Sequence, residues 1–150
     1  MRCFKVVKMS KGFSLIELLV VLAIAGILTM MAYPGYRDSL TRAHRSDGKT
    51  ALLELAIRME NYYSKNNTYQ TATIGTGATT DVLSNASSPE GFYELRLSNL
   101  TDLTYNLEAR AIDTQARADT YCQLLSYNSL GVKGVKNGSN GRTADPKNCW

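Results

Sequence analysis

Lys11-Gly12-Phe13-Ser14-Leu15-Ile16-Glu17-Leu18 opens an apolar run that continues to Tyr33. Of the 21 residues from Phe13 to Tyr33, only Ser14, Glu17 and Thr29 break its apolar and aromatic character. As a helix rising about 1.5 Å per residue, the run is roughly 30 Å long, the thickness of a bilayer's hydrocarbon core. A segment this apolar requires lipid, a protein core, or an assembly that takes the place of lipid. Glu17 is the exception within it. An ionised acid at the centre of a membrane helix costs roughly 2.5–3.5 kcal/mol on insertion scales, and less near the end. Either the carboxylate snorkels to the interface or stays protonated, or it awaits a cation. No Lys or Arg lies between Lys11 and Arg37. A cut after Gly12 would create such a cation, the new amino terminus at Phe13.

Beyond Tyr33 the sequence turns polar but keeps a helical period. Tyr36, Leu40, Ala43, Ala51, Leu55, Met59 and Tyr62 fall on one face, with a gap at Asp47-Gly48. One helix from about Ser14 to about Lys65 is expected, apolar all round at first and then amphipathic, so its second half needs a packed domain. Pro34 lacks an N–H and kinks a helix, and Gly26, Gly35 and Gly48 weaken it further. His44, the only histidine, sits between Arg42 and Arg45 and reads as a solvated helix position. A histidine-based catalytic constellation could be built only there, and no enzyme is expected.

Residues 67–90 read as a polar Thr/Ser/Gly connection without period. Phe92–Leu97 and Tyr105–Ala111 alternate as half-buried strands; Tyr121–Tyr127 is a third candidate and Leu130–Lys136 a weaker fourth. Their apolar faces would cover the helix stripe. The expected fold is α+β: a long N-terminal helix packed through its second half on an antiparallel sheet of about four strands.

The residues from Lys11 to Glu17 resemble the class III signal of type IV pilins and their pseudopilin relatives: Gly, then Phe, then an acid at the fifth position inside a membrane-length run. The resemblance implies that a prepilin peptidase cuts between Gly12 and Phe13 and N-methylates Phe13, with Glu17 as the assembly carboxylate. It divides the chain into a leader (1–12), a transmembrane or filament-core segment (13–36) and a periplasmic or extracellular domain (37–150). It also places the subunit in the inner membrane, on an assembly platform, before it joins other pilin subunits in an extracellular filament. The stretch from Gly26 to Pro34 is similar to the region of these helices that can unwind in filaments. An ordinary secretory signal fits the basic start, but Glu17 spoils its apolar core.

The chain has 17 Lys and Arg against 13 Asp and Glu; Arg2, Lys5, Lys8 and Lys11 lie before Phe13, so the processed chain is balanced. Cys3 would leave with the leader. That leaves Cys122 and Cys149 in a segment exported to an oxidising compartment, paired or as two free thiols; the C-terminal loop of type IV pilins implies a bridge. The ending resembles that of small, minor-type pilins. Lys133, Lys136, Arg142 and Lys147 stand against Asp145 alone in this loop. They offer a contact for DNA or another anion, or simply a solvated loop. Only Asp145 is acidic between Asp119 and Trp150, so no calcium cluster is expected there, nor any metal or cofactor. Three functions follow: a structural pilus subunit, a DNA-binding pilin for uptake, or a pseudopilin of a secretion system. Motility, adhesion and uptake are all compatible with a filament of this kind.

Overall fold

The computed structural model describes residues 12–137 and 145–150. It divides into two compact units, one running through Asp38 and one from Ser39 to Trp150. Helix α1 spans Leu15–Asn66 and runs through Pro34, within a residue of the expected ends.

The elements that follow are β1 (Thr73–Ile74), β2 (Asp81–Leu83), β3 (Tyr93–Ser98), β4 (Asn106–Ala111), α2 (Asp113–Ala118), β5 (Leu124–Asn128) and β6 (Lys133–Lys136), with a 3-10 turn at Pro146–Asn148. Strands β3-β4-β5-β6 form an antiparallel meander in chain order. This is the expected α+β sheet of four strands. The odd-numbered residues Tyr93, Leu95, Leu107, Ala109, Leu125 and Val135 face inward and form one core with Ala51, Leu52, Leu55, Ala56 and Met59 of α1. Alternation along the strands therefore meets the 3.6-residue period of the helix on a shared apolar face.

Five local expectations change. The apparent gap at Asp47-Gly48 is part of the buried face. A Cβ on Gly48 would lie 2.9 Å from the Tyr93 ring, so glycine lets the ring pack flat on the helix backbone. The Asp47 carboxylate accepts from Ser88 Oγ and from the Glu90 N–H, which satisfies its burial. Residues 67–90 are not without strands: β1 and β2 pair in parallel, and Asp81 organises the turn between them. Its carboxylate accepts from Thr73 and Thr76 hydroxyls and from the Thr76 and Gly77 N–H groups, and these bonds hold its pKa below the usual carboxylate range.

The third strand begins at Leu124, because Tyr121–Gln123 are drawn into the disulfide corner. The fourth begins only at Lys133, because Gly131 turns the chain at φ 77°. His44 is not a solvated position. Its ring stacks on Phe92 at 3.6 Å, and its Nδ1 meets Gln115 Oε1 at 3.2 Å.

A tyrosine cluster closes the far end of α1. Tyr69 and Tyr105 both donate to the Glu60 carboxylate, at 2.9 and 2.8 Å, and their rings meet edge to face. Burial, then the Glu60 hydrogen bond and charge, raises Tyr69 to about 12 and Tyr105 further up; burial also raises Tyr93 to about 12. An unfolded tyrosine ionises near 10. Above that pH the unfolded chain releases protons that the folded chain keeps, so stability falls as pH rises. Urea titrations between pH 9 and 11.5 are expected to show this loss, and Tyr105→Phe will flatten it. A profile unchanged by Tyr105→Phe would remove this tyrosine from the account.

Candidate assembly and anion-binding surfaces

In the first unit every apolar side chain of the helix is exposed. Phe13 is 86% exposed, Leu28 62% and Met30 80%. In water such a surface is unfavourable by about 25 cal/mol per Å². By length and composition this helix is apolar enough to cross a membrane. Glu17 is exposed near its start, and its N–H bonds the Ser14 carbonyl in the first turn. Gly12 and Phe13 are described; Lys11 and the residues before it lie outside the described residues.

The second unit ends in a polar corner tied to α1. Cys122 and Cys149 are bonded, with Cα atoms 5.8 Å apart. Arg45 donates from Nε and Nη2 to the two oxygens of Asp119, at 2.8 and 3.0 Å, and from Nη1 to the Asn148 carbonyl. Asp119 also accepts from the Cys122 N–H and from Gln115 Nε2. Gln115, on α2, further donates to the Thr41 carbonyl and lies 3.2 Å from Tyr93 Oη. One network thus joins α1, α2, β3 and both halves of the bridge.

The basic residues of the C-terminal loop divide. In the β5–β6 register Tyr127 opposes Lys133 and Leu124 opposes Lys136, so the two lysines stand on opposite faces of β6. Arg142 lies outside the described residues. Lys136 joins Arg96 of β3 and Arg110 of β4 around a cleft of about 220 Å³ on the outer face, with Glu108 as its acid. Arg96 is paired with Glu94 at 2.9 Å. Lys133 Nζ sits 5.0 Å from the centroid of Trp150, whose indole N–H donates to the Gly134 carbonyl. Trp150 thus gives Lys133 an aromatic neighbour that their separation in the chain does not reveal. Lys49 faces the same side; burial, then the charges of Arg45 and Lys133, lowers its pKa, and Asp119 partly offsets this.

Residues 7–33 match the prokaryotic N-terminal methylation motif. Residues 34–126 match the family described as type IV minor pilin ComP, DNA uptake sequence receptor. A type IV major fimbrial protein, FimA of Dichelobacter nodosus, is 45% identical over 51 residues, covering 34% of this chain and 32% of FimA. A fimbrial protein of the same organism is 41% identical over 51 residues. The chain thus spans about a third of the length of these fimbrial relatives (32%). Among solved structures, the non-core minor pilin PilV of Neisseria meningitidis superposes with a TM-score of 0.50 at 19% identity, covering 71% of this chain and 98% of PilV. That likeness establishes the pilin fold. With its folded domain matched along most of its length and the methylation motif before it, the chain belongs to the type IV minor pilin family of ComP.

Proposed function

We propose that this chain is a minor subunit of a type IV pilus, cut between Gly12 and Phe13, methylated at Phe13 and drawn from the inner membrane into an extracellular filament through its N-terminal helix. The observation that carries this reading is Glu17, an exposed carboxylate in an apolar segment with no Lys or Arg between Lys11 and Arg37. A neighbour's Phe13 amine is the partner its chemistry calls for, since an unpaired charge in an apolar core is costly. Movement of the stalk from lipid to a similarly apolar filament core loses little hydrophobic free energy. The stretch from Gly26 to Pro34, where Pro34 lacks an N–H, is where the helix would yield on packing. The assembly platform and the peptidase are the remaining partners of this reading.

Glu17→Ala is expected to leave cleavage and methylation intact while removing the subunit from sheared filaments. Intact mass from membrane and filament fractions reads both at once. Normal incorporation of the variant refutes the pairing; a native chain that keeps its first 12 residues refutes the processing.

A second reading has its own support. The family's description names a DNA uptake sequence receptor. The folded unit of this chain offers Arg110 of β4 and Lys136 of β6 around one cleft on the outer face of the sheet, and Lys133 on the other face of β6. Counterion release by such cations is the main source of affinity for duplex DNA. On this reading the filament presents a DNA-binding subunit.

A further inference from the structure

We infer that the outer face of the sheet binds a carboxylated sugar, one hexuronate ring of a glycan, in the cleft between Arg110 and Lys136. The site stands apart from Glu17 and depends neither on filament assembly nor on the DNA-binding reading.

The sheet register builds the slot. Arg110 of β4 opposes Leu124 of β5, and Leu124 opposes Lys136 of β6, so the three stand in one row on one face. With strands about 4.8 Å apart, the two cations leave the sheet roughly 10 Å from each other. Between them lies Leu124, a half-buried apolar side chain. A carboxylate set over Leu124 has a cation on either side. Glu94, which opposes Arg110, is held by Arg96 at 2.9 Å. Arg110 and Lys136 have no ion pair among the described residues.

Glu108 decides what kind of anion fits. It lines the same cleft, two residues before Arg110 on β4 and therefore about 7 Å along the strand on the same face. Ser98 Oγ and Asn106 Nδ2 both donate to its Oε1 and hold the carboxylate in place. A bare anion, or a row of phosphates, gains from the two cations but is repelled by this acid. A ring with a carboxylate at one end and hydroxyls at the other suits both: the carboxylate takes Arg110 and Lys136, and a hydroxyl donates to Glu108. Leu124 meets the C–H face of the ring. Gln123 donates to the Ala116 carbonyl and forms a fixed wall. At about 220 Å³ the cleft is smaller than the roughly 300–1,000 Å³ of pockets that enclose drug-sized ligands, so it takes a single ring. A competing role for a lysine on an end strand is to repel strand addition by another chain. That role needs charge at the edge, but neither the acid in the cleft nor any preference among anions.

The test uses the full chain in detergent and ligand-observed NMR titrations with methyl glucuronide, methyl glucoside and inorganic phosphate. The native chain is expected to bind the glucuronide several-fold more tightly than either comparison probe. Arg110→Ala and Lys136→Ala are each expected to weaken the glucuronide about tenfold, the loss of one charged hydrogen bond. Glu108→Ala removes the hydroxyl acceptor and the charge that repels phosphate. It is expected to lower the ratio of glucuronide to phosphate affinity several-fold, and Glu108→Gln, which keeps the side-chain shape, to move it the same way. Arg58→Ala, whose guanidinium is paired with Glu54 in a different cleft, is expected to match the native chain. Equal affinity for glucuronide and phosphate, or a ratio unmoved by either Glu108 variant, would mean surface cations alone and overturns the site. A ratio moved by Glu108→Ala but not by Glu108→Gln marks a local packing effect and overturns it too. No glucuronide binding by the native chain also overturns the site. It leaves the pilus reading standing, because that reading is scored separately on incorporation of Glu17→Ala into filaments.

Discussion

Arg45→Ala will cost the folded domain roughly 3–5 kcal/mol, a large part of the stability of a unit this size. The reason is the acid left behind. The Asp119 side chain is 3% exposed and receives both prongs of the Arg45 fork. Without the guanidinium it keeps only the Gln115 amide and the Cys122 N–H. Two neutral donors do not offset the desolvation of a buried carboxylate. The variant also frees the Asn148 carbonyl, which Arg45 holds at 3.0 Å.

Lys at position 45 keeps the charge but cannot reproduce the fork, so Arg45→Lys will fall between the two. Asp119→Asn in the Arg45→Ala background will recover part of the loss by removing the stranded charge. Urea melts followed by Trp150, the only tryptophan, report this corner directly. A shift below about 1 kcal/mol for Arg45→Ala would show the pair to be no more than a surface salt bridge.

Why this corner escaped a linear reading is clear from its residues. Arg45 and Asp119 are 74 positions apart. Nothing local distinguishes Arg45 from the other cations of an amphipathic helix. His44 looked solvated because its neighbours are charged, yet it is the neighbour of Phe92 and Gln115 in space. Helix α2 has only six residues and opens on Asp113 at φ 47°, so no period could form. A signal did exist in the run of good helix formers Gln115-Ala116-Arg117-Ala118.

The parts that were legible are those where period and burial agree over many residues. The apolar run fixed the start of α1, and the stripe at Ala51, Leu55 and Met59 fixed its packed face. Alternation in β3 and β4 then supplied the covering surface. Asp47-Gly48 was misread as a gap because a period counts side chains. There the packing partner is the Tyr93 ring lying where a side chain is missing, and the acid is buried through its hydrogen bonds. The parity of Lys133 and Lys136 was legible in principle: three residues apart in a strand means opposite faces. Only the turn at Gly131 and the pairing with β5 established that they share a strand at all.

The second large effect concerns the bridge. Replacing Cys122 and Cys149 together by alanine removes a crosslink over 27 positions of sequence. In the chain-entropy account a loop of that size contributes about 3.5 kcal/mol, by limiting the freedom of the unfolded chain. Its loss in this protein reaches further, because the bridge holds the acceptor that Arg45 uses. The last residues contact the rest of the unit through Cys149, through the Trp150 indole bond to Gly134, and through Asn148 to Arg45. Without the crosslink, the turn at Pro146–Asn148 must be kept in place by the other two, and keeping it ordered costs conformational entropy.

Arg45→Ala and the alanine pair therefore act on a shared set of contacts, and their effects will not add. The combined variant is expected to be less destabilised than the sum by about 1 kcal/mol or more, since each change already loosens the Asn148 contact. Lys133 follows the same corner through Trp150. Reduction of the native bridge is thus expected to lower the protection of the Gly134 region against hydrogen exchange before the α1–β3 core at Leu55 and Tyr93 opens. Strict additivity of the two changes, with exchange rising at Gly134 and at Leu55 together, would mean that Arg45 and the bridge stabilise the domain independently.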